Sequence, residues 1–372
     1  MKKTIRVFIY ISLLVLLVSC GPKKSKAYED TLVPYLDDGW VAVWADEFDG
    51  DKLDQTKWTF ETGGHGWGNR ELQNYRFSNT EVSDGTLKII ARKEQSGNNE
   101  YSSSRIVTRD KFSFKYGRVV ASARLPEGRG TWPAIWMMPQ ESKYGNWPDS
   151  GEIDIMEYVG YQSDRVHASI HTKAYNHKIG TQKTGSLKVD NLTTEFHKFE
   201  LIWEPGSISI FVNDNLIRAF RYNSIFDQAH ESKDAFPFDQ EFYLIMNLAI
   251  GGDWGGQQGV DDSIFPTTFD IDYIRVYQKD YKYLDKEKPE TPYDLQASRQ
   301  LDNSIIWKTP YDDVGIHHYN VFIDGEFYQE ANLPQITLKN LEKGRSYDIT
   351  VEAIDFTGNV PRMSDVFKYT FK

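Results

Sequence analysis

Apolar and polar residues alternate in short segments from about Trp40 to Gln278, and Gly, Asn and Asp residues separate these segments. Such alternation, with many Val, Ile, Tyr and Phe residues, predicts β-strands. The clearest examples are GTLKIIARK (85–93), YGRVVASARL (116–125), HKFELIWEPGSISIFVND (197–214) and FDIDYIRVYQ (269–278). EPGS within the third example and NDN at its end predict hairpin turns.

Helical periodicity is nearly absent from the same region. No long stretch repeats its apolar residues with a period of 3.6, and YNSIFDQAHESKDAF (222–236) predicts one turn of helix at most. Many strands without intervening helices predict an all-β fold, either an antiparallel sandwich or a barrel.

The pattern changes after YKYLDKEKPETP (281–292), which is charged, contains two prolines and therefore predicts a linker. Residues 293–372 predict about seven further short strands. Tyr347 follows Leu341 and Gly344 across a loop-to-strand transition, which is typical of a tyrosine corner. With Trp307 on an early strand, this region resembles a fibronectin type III domain, an immunoglobulin-like β-sandwich. It has no cluster of Trp residues, so we interpret it as a spacer or as a module that docks a protein partner.

The first twenty residues, MKKTIRVFIYISLLVLLVSC, have a basic head and then an apolar run that is short for a transmembrane helix. Cys20 is the only cysteine, so it has neither a disulfide partner nor a second thiol for a metal. The segment resembles a bacterial lipoprotein signal. This implies a signal peptide at 1–19, an acylated Cys20, a polar tether at 20–38 and export to a bacterial membrane, for which we expect the outer membrane. An ordinary signal peptide that ends near a cysteine is the alternative, and the membrane face stays open.

Composition narrows the class of ligand. The net charge is -11, which argues against nucleic acid, because its phosphates need a basic surface. A neutral glycan is compatible with this charge. The 10 Trp and 22 Tyr residues also suit a surface that stacks on sugar rings.

Three carboxylates lie close together in GEIDIMEYVG (151–160). Glu152 and Asp154 are two residues apart and so share one face of a strand. Strict alternation would direct Glu157 into the apolar core, where a charge costs several kcal/mol. A β-bulge at Ile155–Met156 would absorb one residue and return Glu157 to the face of the other two acids.

Three carboxyl groups on one face must titrate together, since like charges nearby raise at least one pKa. One group then stays protonated and acts as an acid while another is ionised and attacks, which is the division of labour in glycoside hydrolysis. From the strand pattern alone, a structural or Ca²⁺-binding acid cluster remains an alternative.

The E-x-D-x-x-E pattern of Glu152, Asp154 and Glu157 resembles the signature of glycoside hydrolase family 16. HGWGNRELQNYR (65–76), WPAIWMMP (132–139) and NLAIGGDWGG (247–256) are similar to motifs of its laminarinase-like branch. The resemblance implies a concanavalin-like jelly-roll catalytic domain at 39–280. It also implies retaining, endo-acting hydrolysis of β-1,3-glucan without a cofactor. Mixed-linkage β-1,3/1,4-glucan hydrolysis and non-catalytic glycan binding are the alternatives.

The same resemblance implies a role for each acid. Glu152 is the expected nucleophile, Glu157 the general acid/base, and Asp154 the residue that holds and tunes Glu152. The longer spacing also differs from the E-x-D-x-E of plant xyloglucan transferases, which argues against transglycosylation.

A sugar-binding cleft needs aromatic platforms with polar groups beside them. Trp132 and Trp136 are four residues apart and could line one groove, although a core role for one of them is an alternative. Trp254 lies in a Gly-rich loop, and His171 shares the polar face of RVHASIHTKAYNH (165–177). The candidate substrate-binding residues are Trp67, Asn69, Arg70, Trp132, Trp136, His171 and Trp254.

A structural Ca²⁺ on the convex side is also implied by the family resemblance. The ligands would be Glu47, the backbone carbonyl of Gly85, and Asp272, because hard oxygen ligands suit this ion. For both acids, an ordinary surface role is the alternative.

Overall fold

The computed structural model describes residues 39–372. The predicted signal peptide, Cys20 and the tether all lie outside these residues. The predicted first domain begins at Gly39 and is described in full. Within residues 39–372, no helix combines the length and the apolar character needed to cross a membrane.

Residues 40–279 contain seventeen of the described strands. They are β1 (Trp40–Asp46), β2 (Thr59–Phe60), β3 (Gln73–Tyr75), β4 (Thr80–Ser83), β5 (Thr86–Ser96), β6 (Asn99–Ser103), β7 (Arg105–Val107), β8 (Gly117–Arg124), β9 (Thr131–Pro139), β10 (Glu152–Tyr158), β11 (Arg165–His171), β12 (Lys183–Lys188), β13 (His197–Glu204), β14 (Ser207–Val212), β15 (Asn215–Arg221), β16 (Phe242–Ile250) and β17 (Thr267–Lys279). The only α-helical turn described in this region is α1 (Ser232–Ala235), and short 3-10 turns occupy Phe77–Asn79, His177–Ile179 and Asp262–Ile264. The prediction of an all-β domain is confirmed, and α1 is the single helical turn that the sequence allowed within 222–236.

Two large sheets form this domain. One follows the order β15-β14-β13-β8-β17-β5-β6-β3, with β1 on β17 and β4 on β5, and the other follows β12-β11-β10-β9-β16-β7-β2. Large apolar side chains without solvent exposure fill the space between them, among them Trp58, Phe199, Trp203 and Phe269. The predicted jelly-roll sandwich is therefore confirmed, and its seven-stranded sheet carries the acid-rich strand β10 between β9 and β11.

The predicted hairpins lie where the turn chemistry places them. Strands β13 and β14 are joined by Pro205 and Gly206, whose φ is 68°. Strands β14 and β15 are joined by Asn213 and Asp214, with φ of 47° and 64°. Two successive residues with positive φ match the right-handed twist of the flanking strands, and Asn and Asp tolerate this conformation.

The last eighty residues form two smaller sheets around a separate core. Their strands are β18 (Tyr293–Ala297), β19 (Ser304–Lys308), β20 (Ile316–Ile323), β21 (Glu326–Ala331), β22 (Gln335–Thr337), β23 (Ser346–Asp355) and β24 (Phe367–Thr370). The sheet orders are β18-β19-β22 and β21-β20-β23-β24. Trp307 is buried in this core and packs edge-on against Tyr319, with 5.2 Å between the ring centroids. The hydroxyl of Tyr347 accepts a 2.9 Å hydrogen bond from the backbone N–H of Glu342.

The junction between the two parts is packed and does not run freely through solvent. Its first four residues form the short helix α2 (Tyr281–Leu284), and the ring of Tyr281 stacks on Phe356 at 4.0 Å. Leu333 of the C-terminal part is buried in the large core of the N-terminal part. The hydroxyl of Ser224 donates a 2.8 Å hydrogen bond to the carbonyl of Trp307 across the same interface. The C-terminal domain is thus docked on its neighbour, which a simple spacer would not require.

Candidate active site

The acid-rich strand contains the predicted β-bulge. On its β11 side, Asp154 pairs with Ser169 and Glu157 pairs with His167. Two residues of β10, Ile155 and Met156, therefore oppose a single residue of β11. Both bulge residues are fully buried, so the core takes up the extra residue while the acids stay on the other face.

All three carboxylates line one cleft of about 490 Å³ on the seven-stranded sheet. Glu152 and Asp154 side chains are 16 % and 4 % exposed. Two tryptophans hold the outer members of the trio. The indole N–H of Trp147 donates to Glu152 Oε2 at 2.7 Å, and that of Trp132 donates to Glu157 Oε1 at 3.2 Å. Each glutamate is therefore oriented by one indole donor.

His171, which alternation placed on the polar face of its segment, faces the acids from the neighbouring strand. It pairs with Glu152 in the β10–β11 register. Its Nε2 lies 3.3 Å from Asp154 Oδ2 and 3.8 Å from Glu152 Oε1. At these distances the imidazole interacts electrostatically with the buried carboxyl groups.

Burial raises the pKa of each of the three acids. The pKa of Glu152 rises to about 8, mainly through burial and then through Asp154, while His171 and the Trp147 hydrogen bond oppose the rise. Burial raises the pKa of Glu157 to about 7, with His171 opposing it. Burial and the charge of Glu157 hold the pKa of Asp154 well above its ordinary value. The trio therefore keeps a proton near neutral pH and titrates as one system.

The cleft walls contain two aromatic groups. In one, Trp254 packs in a T-shaped arrangement against Trp132 and His167, with 5.6 Å and 4.9 Å between the ring centroids. Burial lowers the pKa of His167 to about 4, so this ring is neutral at working pH. Trp254 and Trp132, which the sequence selected as candidate stacking platforms, thus lie together on one partly exposed wall of the cleft.

Arg105 fills the space between the other two tryptophans. Its guanidinium carbon lies 4.7 Å from the ring centroid of Trp67 and 4.8 Å from that of Trp136. Its Nε donates to Glu61 Oε2 at 2.5 Å, which fixes the side chain. The Trp136 indole N–H donates to Asn247 Oδ1 at 2.7 Å. Both tryptophans line the cleft, and a cation covers part of their faces.

The structure brings together nearly all the residues that the sequence selected. Asn69 lines the cleft with the aromatic residues. Arg70 is the exception, because its side chain is 85 % exposed and pairs with Asp253, a residue of the cleft wall. Arg70 therefore joins two loops at the rim and does not itself line the cleft.

Several residues in the cleft or beside it were missed by sequence reasoning. Trp147 lies in KYGNWPDSG (143–151), a Gly-, Asn- and Pro-containing loop directly before the acid strand, and the same context identified Trp254. That context was a usable signal. Other cleft residues that were missed include Arg105, which no pattern in the sequence marks. They also include Asn247 and Asp253, within NLAIGGDWGG (247–256), and His177, at the end of RVHASIHTKAYNH (165–177).

The residues predicted for Ca²⁺ lie near one another within the ten-stranded sheet, where β1 and β5 both pair with β17. Asp46 pairs with Ile274, and Leu87 pairs with Ile271, so Glu47 and Gly85 both lie beside the β17 segment that contains Asp272. The carboxylate of Glu47, however, is bound through both oxygens by Arg275, at 2.8 and 2.7 Å. Its charge is already neutralised, which weakens its case as a ligand.

A second set of metal-type ligands lies in the cleft itself. One ligand atom each from Glu152, Asp154 and His171 lie within 4.8 Å of one another. An ion there would engage two of the three carboxylates that face the cleft, Glu152 and Asp154.

Comparison with known proteins agrees with this geometry. Residues 67–275 match the family model of glycosyl hydrolases family 16. A β-glucanase of Rhodothermus marinus is 52 % identical over 245 residues, which are 64 % of this chain and 85 % of that protein. The X-ray structure of the laminarinase from Rhodothermus marinus superposes with a TM-score of 0.63 and 51 % identity, over 64 % of this chain and 98 % of that one. The structure of SCLam, a non-specific endo-β-1,3(4)-glucanase, superposes with a TM-score of 0.61 and 41 % identity, over 66 % of this chain and 94 % of that one.

Proposed function

The chain belongs to glycosyl hydrolases family 16, and from this premise we propose that it is a retaining endo-hydrolase of β-1,3-glucan. The observation that carries the proposal is the bulged strand β10, which places Glu152, Asp154 and Glu157 in one aromatic-walled cleft. The Rhodothermus relatives, a β-glucanase and a laminarinase, support this substrate.

The reaction has two steps, each involving both glutamates. Glu157 donates its proton to the oxygen of the glycosidic bond while the Glu152 carboxylate attacks the anomeric carbon, which gives a glycosyl-enzyme and releases the leaving sugar. Glu157 then removes a proton from water, which attacks the same carbon and frees Glu152. The residues themselves supply the acid, the base and the nucleophile, so this chemistry needs no cofactor.

Protonation must match these roles. Burial raises the pKa of both Glu152 and Glu157, so the trio holds a proton near neutral pH. The reaction needs this proton on Glu157 and needs Glu152 ionised. The N–H of Trp147 and the ring of His171 both favour ionised Glu152, and this is how they promote the attack.

The decisive experiment measures reducing-sugar release from laminarin by the purified protein. Glu152→Gln should abolish release while the circular dichroism spectrum stays unchanged. Retained activity in that variant would refute the nucleophile assignment. Saccharide binding without turnover on any β-glucan would instead favour a non-catalytic glycan-binding protein.

Mixed-linkage β-1,3/1,4-glucan is the second candidate substrate. SCLam, with which this chain shares 41 % identity, is a non-specific endo-β-1,3(4)-glucanase. The acids cannot separate the two, because linkage choice depends on the cleft walls. Comparing kcat/KM on laminarin and barley β-glucan, with analysis of product lengths, decides between them.

We propose that residues 293–372 form a fibronectin type III-like domain. The seven strands in sheets of three and four, the buried Trp307 and the Tyr347–Glu342 hydrogen bond support this assignment. Its packing on the catalytic domain indicates that its first docking partner is this chain itself.

We also propose that Cys20 is acylated and anchors the exported protein to a bacterial outer membrane. The basic head, the apolar run and the lone cysteine of the first twenty residues support this. Labelling of expressing cells with radioactive palmitate should mark the wild-type protein and leave Cys20→Ser unlabelled. Label in the serine variant would refute the anchor.

A structural Ca²⁺ at Glu47, Gly85 and Asp272 remains a proposal that the convergence of these residues supports and the Glu47–Arg275 pair opposes. Chelation with EDTA should lower the melting temperature if the ion is bound. An unchanged melting temperature would leave Glu47 as the ion-pair partner of Arg275 alone.

A further inference from the structure

The loop that precedes the acid strand, residues 140–151, carries Trp147 and with it the donor that holds Glu152. Gln240 binds both ends of this loop. Its side-chain oxygen accepts from the Lys143 backbone N–H at 3.4 Å, and its amide donates to the Ser150 carbonyl at 3.1 Å. The position of Trp147 therefore depends on the segment around Gln240.

The residue before Gln240 is the centre of a second set of contacts. The hydroxyl of Tyr144, in the same loop, lies 2.6 and 2.9 Å from the two carboxylate oxygens of Asp239. The ammonium group of Lys143 lies 3.4 Å from this carboxylate, whose side chain is only 9 % exposed. Asp239 thus fixes the loop through a side chain that is itself nearly enclosed.

The remaining partner of Asp239 comes from the C-terminal domain. The side-chain amide of Asn332 donates to Asp239 Oδ2, the same oxygen that Tyr144 approaches most closely. Asn332 cannot move away freely, because the next residue, Leu333, is buried in the catalytic core. A continuous chain of contacts therefore runs from the C-terminal domain through Asp239 and the loop to Trp147 and Glu152.

We propose that Asn332 is a positioning residue for the catalytic nucleophile. By completing the hydrogen bonding of Asp239, Asn332 holds the 140–151 loop in the arrangement that directs the Trp147 N–H at Glu152. The C-terminal domain is then a working part of the active site and not only an attachment. The catalytic consequence rests on the proposed function, whereas the structural coupling does not.

The primary test is independent of turnover. In protein with ¹⁵N-labelled tryptophan, the indole signal of Trp147, identified by its loss in Trp147→Phe, is followed as a function of pH. Its titration reports the coupled ionisation of the acid trio at Glu152, because the indole donates to that carboxylate. Asn332→Ala should shift the midpoint upward by roughly half a pH unit, since a weaker hydrogen bond stabilises the charged form less. Asn332→Asp, which places a like charge against Asp239, should shift it further.

The kinetic counterpart is kcat/KM on laminarin, which should fall roughly three- to tenfold in Asn332→Ala, through kcat more than through KM. Tyr144→Phe, which breaks the loop side of the same chain, should act in the same direction. Lys339→Ala is the matched control: Lys339 also crosses the interface, 3.6 Å from Glu231, but does not touch Asp239, and both readouts should stay unchanged.

The outcomes separate the two proposals. The wild-type protein could show no turnover on any β-glucan while the Trp147 midpoint still shifts in Asn332→Ala. This result would refute the proposed hydrolase function and support the structural coupling of Asn332 to Glu152. An unchanged midpoint in both Asn332 variants would refute the coupling whatever the activity. Equal shifts in Lys339→Ala and Asn332→Ala would also refute it, because they would indicate general loosening of the interface.

Discussion

The indole N–H of Trp147 donates a 2.7 Å hydrogen bond to Glu152, only five residues further along the chain. Burial and the adjacent Asp154 raise the pKa of Glu152, and this hydrogen bond opposes them. The bond also fixes the direction of the carboxylate. One side chain in a loop therefore tunes both the charge and the aim of the expected nucleophile.

Removing this donor should slow the reaction and move its pH dependence. Trp147→Phe keeps an aromatic ring and loses the N–H, and a hydrogen bond to a charged group contributes about 1.5–3 kcal/mol. We therefore expect kcat/KM to fall at least tenfold. The acidic limb of its pH profile should move to higher pH, because ionised Glu152 loses a stabilising contact. The profile on laminarin is the measurement, and an acidic limb that stays in place would contradict this role of Trp147.

The buried acids should make the folded protein less stable as the pH rises. The pKa of Glu152 is about 8 in the folded protein against an ordinary 4.5. Between these values the folded state holds a proton that the unfolded chain has released, so stability is full below the lower value and is lost as pH rises through the higher one.

A neutral isostere removes this dependence. Glu152→Gln should raise the melting temperature relative to wild type, with little gain at pH 5 and a clear gain at pH 8. Calorimetric scans at both pH values measure it. Glu326→Gln, on the exposed strand β21, is the control. Its melting temperature should differ from that of wild type by the same amount at pH 5 and at pH 8. If Glu152→Gln raised the melting temperature equally at pH 5 and pH 8, the raised pKa of Glu152 would not be the cause of the pH dependence of stability.

Deleting the bulge residue Met156 should reduce catalysis by more than the loss of its buried side-chain volume would explain. Deleting Met156 leaves Glu157 on the cleft face but removes one residue step, roughly 3.3 Å of strand, between it and Asp154. We expect the rate on laminarin to fall by roughly a hundredfold or more, because misplacement of a reacting group by this much is costly.

Met156→Ala provides the matched comparison, since it empties a fully buried position and keeps the bulge. It should cost roughly 2–5 kcal/mol of stability, while activity at low temperature stays near that of wild type. If the deletion variant instead kept its rate, the extra residue would have no catalytic role, even with the enzyme assignment intact.

The sequence could predict the acid face because physical constraints left few alternatives. A charged Glu157 could not enter the core, so a bulge was required at Ile155–Met156, and the structure has it there. The hydroxyl of Tyr347 also binds the loop before its strand, as the spacing from Leu341 indicated. Both features depend on residues close together in the chain.

Contacts between distant segments could not be predicted in this way. Arg105 lies between Trp67 and Trp136, and nothing in its own neighbourhood marks it. The segment 281–292 has a linker composition, yet Tyr281 stacks on Phe356. Leu333 is a single apolar residue in a loop, so its burial in the other domain's core has no periodic signal.

This docking gives the last prediction, that a chain ending at Leu284 should be markedly less stable than the full chain. Truncation exposes the core around Leu333 and the surface under Phe356, which packs on Tyr281 and, at 6.0 Å, on Tyr116. Burial of one large apolar side chain contributes about 1.5–3 kcal/mol. For a domain of this size, losing two should lower the melting temperature by roughly 5–15 °C.

Point variants in the full chain separate this loss from other effects of truncation. Leu333→Ala should reproduce a substantial part of the decrease, because it empties the same contact. Phe327→Ala, on a ring that is 56 % exposed in the same domain, should leave the melting temperature unchanged. If the truncated chain melted with the full chain, the interface would contribute nothing to stability and the C-terminal domain would be an independent unit after all.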